Sequence, residues 1–186
     1  MTSLTKDPLL AIAKGTLWVL MGAMALATAA CVIAIPAVIV LQNRITIEVG
    51  KELPGLPGPE FIGALLVILL FVAILLAMLF RVFQLLKRIV DTVGEGDPFV
   101  PANASRLTQM AWLTLAGQFV ALPIAGMALW IKSVTEGAAE KAGKAVDMHI
   151  EGGLDVNGLL LVLILFILAR VFREGTRLRA EVEGTV

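Results

Sequence analysis

FIGALLVILLFVAILLAMLF, residues 61–80, is twenty residues without a charge, closed by Arg81. A helix rises about 1.5 Å per residue, so this run reaches about 30 Å, the thickness of a bilayer's hydrocarbon core. Three more such stretches flank it. Gly15 to Leu41 carries no charge, nor does Met110 to Ile131, which is bounded by Arg106 and Lys132. The last begins near Gly158 and is uncharged through Ala169; Val156 and the apolar body beyond Arg170 bring it to span length when the arginine snorkels. Apolar residues grouped in blocks, rather than at helix or strand spacing, take the chain out of the soluble classes. The sequence predicts an all-α membrane protein, a four-helix transmembrane bundle forming one domain over 1–186. Its helices fall at about 15–41, 61–83, 106–131 and 156–180.

Composition agrees. Hydrophobic residues make up 59% of the chain and charged ones 16%, where soluble domains hold about 25% charged residues. The formal net charge of zero gives no reason to expect direct nucleic-acid binding. A faint cleavage-site pattern around Ala27-Thr28-Ala29-Ala30-Cys31 lies within the first apolar block, which continues to Leu41, so a retained first helix is the better reading. Cys31, the only cysteine, has no disulfide partner.

Lys and Arg counts set the orientation. The N-terminal arm, the middle connection (84–105) and the tail, with the arginines flanking them, hold ten; the connections 42–60 and 132–155 hold five. By the positive-inside rule both termini and the middle connection face the cytoplasm, which predicts a multi-pass membrane protein. Trp18 and Trp130 near block ends suit the interface. In the first outer connection, Arg44-Ile45-Thr46-Ile47-Glu48-Val49 alternates with period two and reads as a short strand. In the second, Val134 to Val146 reads as helix and Met148-His149-Ile150-Glu151 alternates again. One strand from each would pair into a small outer cap.

Chemistry-bearing patterns are scarce. The block interiors lack the ionisable groups that pumps and intramembrane enzymes place at depth. Gln118 is expected to hydrogen-bond across helices. His149, with Glu151 and Asp155 nearby, lacks the ligand spacing of a metal site. Gly94-Glu95-Gly96 has no downstream Lys-Ser/Thr and is no phosphate loop. No catalytic residue, metal ligand or cofactor site is predicted, and the chain is not expected to be an enzyme. Small residues at helical spacing (Ala23/Ala27, Ala73/Ala77, Gly117/Ala121/Ala125) fit close packing within the bundle, with a homodimer as the sharper alternative.

Two segments carry motif-like content. One is Gly96-Asp97-Pro98-Phe99-Val100, followed by Asn103-Ala104-Ser105-Arg106-Leu107, with Asn103 suited to cap the third helix. The other is the tail. There Arg170, Arg173 and Arg177 share a helical face, and Leu168, Val171, Leu178 and Val182 form a separate apolar stripe. Arg170–Glu174 and Arg177–Glu181 stand at ion-pair spacing.

These residues resemble the bacterial family catalogued as domain of unknown function 2975, over nearly the whole chain. The matching positions are Gly96, Pro98, Phe99, Val100, Asn103, Arg106 and Leu107, then Val171, Phe172, Arg173, Gly175, Leu178, Glu181, Thr185 and Val186. Arg170, where a glutamate is expected, and Gly184 depart from the pattern. The family has no established activity. The resemblance implies a membrane-bound modulator of a small cytoplasmic helix-turn-helix regulator, with Phe99, Arg170, Arg173, Arg177 and Leu178 as candidate partner-binding residues. The alternatives are a small-molecule sensor or permease-like bundle, and a purely structural role in which Phe99 and the tail pack on each other.

Overall fold

A computed structural model describes residues 8–53, 55–141, 143 and 155–183. Four helices follow in order: α1 (Pro8–Glu52), α2 (Gly58–Gly94), α3 (Pro101–Lys141) and α4 (Val156–Glu183). Each is long and apolar enough to cross a membrane, and no strand occurs among the described residues. Large apolar side chains stay exposed on all four, among them Val40 (80%), Phe119 (63%) and Leu163 (56%). Water would not tolerate so much contiguous apolar surface, whereas hydrocarbon takes it without penalty. The protein is a multi-pass, four-helix membrane protein.

The chain divides into two compact units. The first contains α1 up to Ala25, Ala77–Gln118 and the segment from Asp155 onward, hence all of α4. Its core joins Leu85 and Ile89 of α2, Leu107, Met110 and Ala111 of α3, and Leu165 and Ala169 of α4, with Val82, Leu86, Phe166 and Phe172 packed around them. The second contains Leu26–Leu76 and the rest of α3 from Phe119. Ile62, Ala64, Ala73, Thr135, Ala138 and Ala139 are buried there.

The helices run well past their apolar blocks. Arg44–Val49, expected as a strand, is the last part of α1. An extended strand needs a partner before it gains anything, whereas a helix already nucleated upstream adds a hydrogen bond with each residue. β-branched residues lower helix stability by only a few tenths of a kcal/mol each, too little to stop it. Thr46 also donates its hydroxyl to the Gln42 carbonyl at 2.8 Å, and Lys51 pairs with Glu48 at 2.8 Å. The cap built on that strand is therefore not formed; its other half, 148–151, lies outside the described residues, as does His149. The connection expected at 42–60 shrinks to 53–57, and the one expected at 84–105 to 95–100. The reason for the second change is visible in the chain. Val82, Leu85, Leu86 and Ile89 fall at the i, i+3, i+4, i+7 spacing of one helical face, and that face is buried.

Candidate functional site

The two segments singled out in the sequence meet in the first unit. α2 ends in a tight cap: the Asp97 amide donates to the Thr92 carbonyl and the Gly96 amide to the Val93 carbonyl, both at 3.1 Å. This pair of bonds is a Schellman motif, which requires a left-handed residue where Gly96 sits with φ of 85°. Gly94-Glu95-Gly96 is thus a helix terminus. Pro101 then opens α3, where its missing N–H costs nothing.

Asn103 does not cap α3. It is the helix's third residue, wholly buried, and ties the connection together. Its side-chain amide donates to the Thr92 hydroxyl (2.7 Å) and the Pro98 carbonyl (2.8 Å), and its carbonyl accepts from the Arg106 guanidinium (2.7 Å). The Thr92 hydroxyl in turn donates to the Ile89 carbonyl at 2.8 Å, and Arg106 also donates to the Arg88 carbonyl at 3.2 Å. Every polar group of the amide is used, which is what burial demands.

α4 holds the same connection from outside. The Phe99 ring lies 5.5 Å from that of Phe172, tilted by 43°. Gly175 makes room for it, since a Cβ there would stand 2.7 Å from the Phe99 ring. The Thr176 hydroxyl lies 2.9 Å from the Phe99 carbonyl, and Arg179 pairs with Asp97. Phe99 is consequently half-covered rather than free, at 39% exposure.

The candidate residues on α4 separate into two groups. Arg177 is engaged by Glu174 (2.8 Å) and Glu181 (3.5 Å), so Glu174 goes to Arg177 instead of the expected Arg170. Arg170 and Arg173 face grooves beside α3, and Leu178 is exposed. Thr176, Arg179, Asp97 and Thr92 carry no signal of their own in a single sequence, because each acts on a residue distant in the chain. A further charged cluster lies on α1 and α2, where Asp91 accepts from Lys14 and Lys87, each at 2.9 Å, and Lys87 stands 5.5 Å from the Trp18 ring centre. Asp91 follows Phe80 by eleven residues, beyond the apolar block, and hydrogen bonds from the two ammonium groups hold its carboxyl below the usual range.

At the other end of α4, Asp155 caps the helix, accepting from the Asn157 and Gly158 amides at 3.0 Å each. Gln118 accepts from the Asp155 amide at 3.3 Å, and its amide nitrogen rests directly against Gly158. The cross-helix bond expected of Gln118 is present, and the polar partner it reaches is a helix terminus. Among the described residues no group of three or more His, Cys, Asp or Glu side chains is placed to hold a metal.

The model of the family described as a protein of unknown function (DUF2975) matches residues 50–186. The chain belongs to that family. No curated protein and no solved structure matches it. Within DUF2975 the match starts at the end of α1, so the resemblance covers less of the chain than expected and leaves most of the first helix outside. Both segments on which the resemblance rests, 96–107 and the α4 tail, lie within the matched residues.

Proposed function

We propose that this DUF2975 protein is a membrane-anchored binding protein without a catalytic step, which restrains a small helix-turn-helix regulator at the inner face of a bacterial cytoplasmic membrane. The observation that carries the reading is the way α4 is braced at Phe99, Thr176 and Arg179 while Leu178 stays exposed within the braced turn. A rigid helical face with an apolar anchor is how helices present themselves to partners. The partner's identity rests on the family resemblance, and the inner location on ten Lys and Arg against five.

The experiment co-expresses the full chain with a small helix-turn-helix regulator of the kind the family resemblance implies and follows how much regulator sediments with membranes. Leu178→Asp is expected to release the regulator while insertion stays normal; regulator retained undiminished would sink the reading. Reporter fusions check the orientation: a fusion after Lys141 active only in the cytoplasm would reverse it.

One observation favours a permease-like or sensing bundle as the second reading. Gln118 lies eight residues inside the uncharged run that starts at Met110, and the Asp155 main-chain amide donates to its side-chain carbonyl at 3.3 Å, so a polar contact between α3 and the start of α4 is made from within an apolar run. Ligand-dependent protection of these two residues, lost in Gln118→Leu, would favour this reading.

A further inference from the structure

We propose that the face shared by α3 and α4 around Arg170 and Arg173 binds the headgroup of an anionic phospholipid. Two adjoining grooves of about 390 and 540 Å³ open there, and Arg173 and Thr108 line both. The first adds Ser105 and Trp112, the second Phe166 and Arg170. Buried Ala104 and Ala169 form part of the walls.

Charge and depth select the occupant. Glu174, the one carboxylate lining either groove among the described residues, is engaged by Arg177 at 2.8 Å. Neither Arg170 nor Arg173 has an ion pair among the described residues, so two guanidiniums stand beside apolar walls. Their planar forks match phosphate oxygens. Arg170 directly follows the uncharged stretch that ends at Ala169, and Trp112 lies two residues into the uncharged run of α3. Trp112 is 60% exposed and meets the Phe166 ring edge-on at 5.6 Å. Exposed tryptophan and snorkelling arginine at the end of an apolar block mark headgroup level. An occupant with anionic oxygens at one end and hydrocarbon at the other satisfies both halves of the site, whereas free phosphate leaves the apolar walls unused. This inference goes beyond the partner reading: it gives Arg170 and Arg173, two of the candidate partner-binding residues, to lipid and leaves Leu178 to the partner.

The test uses the full chain with Trp18→Phe and Trp130→Phe, leaving Trp112 as its one tryptophan. It is placed in phosphatidylcholine vesicles containing a small, equal fraction of brominated phosphatidylglycerol or brominated phosphatidylcholine, and Trp112 quenching is read. Brominated phosphatidylglycerol is expected to quench preferentially, with about fivefold tighter association per arginine. Arg170→Gln with Arg173→Gln should equalise the two lipids, while Arg177→Gln, outside both grooves, should leave the preference in place. Equal quenching in the parent, a preference that survives the double substitution, or an equal loss in Arg177→Gln would each overturn the site. If the double variant does not insert, the two single variants replace it, and an undiminished preference in both has the same consequence.

Discussion

The two short connections, 95–100 and 53–57, join helices of similar length in different ways. The turn at 53–57 relies on its backbone: the Leu56 amide donates to Leu53 at 3.3 Å, Gly55 takes φ of 94°, and Gly58 lets Thr46 come close. The 95–100 connection is specified by side chains, with Asn103 holding it from within and Phe172, Thr176 and Arg179 from α4. A turn that only reverses the chain needs local geometry and nothing more. A turn that fixes a distant helix needs partners, and here Asn103, Phe172, Thr176 and Arg179 supply them.

Substitutions of comparable kind in the two places should therefore differ, and the largest difference is expected at the buried amide. Asn103→Ala leaves the Pro98 carbonyl and Arg106 without it, and should cost about 2–3 kcal/mol of unfolding free energy in detergent. Thr46→Ala, which removes a hydroxyl bonded within its own helix, should stay within about 0.5 kcal/mol. Equal losses would mean that the amide network contributes nothing special. Phe99→Ala comes next. A fully buried Phe costs about 3–5 kcal/mol on truncation, and half-coverage brings the expectation to about 1–2 kcal/mol, read from the same melts.

Gly175→Ala against Gly63→Ala sharpens the contrast. The first pushes a methyl into the Phe99 ring and should destabilise by about 1 kcal/mol or more. The second meets nothing within 4 Å and should be neutral or slightly stabilising, since alanine is the better helix former by up to about 1 kcal/mol. The smallest effect belongs to Asp97→Asn, which weakens an exposed ion pair with Arg179 and should cost under about 1 kcal/mol, less in high salt.

The four helices were legible in the sequence because bilayer thickness imposes a length that blocks such as 61–80 meet directly. Their ends were not. Arg44–Val49 alternates as a strand would, and the helix already nucleated upstream carries it on as helix. Val82 to Ile89 did carry a readable apolar stripe, and reading it would have carried α2 past the block. At the candidate site the sequence pointed to the right segments, yet Asn103 looked like a cap because a capping residue and a buried hub share the same chemistry. The groove residues Ser105, Thr108 and Trp112 meet Arg173 only through the packing of α3 on α4, which no spacing in one chain reveals.

A double-mutant cycle between Phe99 and Phe172 tests most directly that loop and tail form one clasp. Unfolding free energies of the parent, Phe99→Ala, Phe172→Ala and the double variant yield the coupling between the rings. Aromatic pairs at this separation are worth about 0.5–1.5 kcal/mol beyond their burial, and a coupling in that range is expected. Strictly additive losses would contradict the clasp and return Phe99 to the free surface.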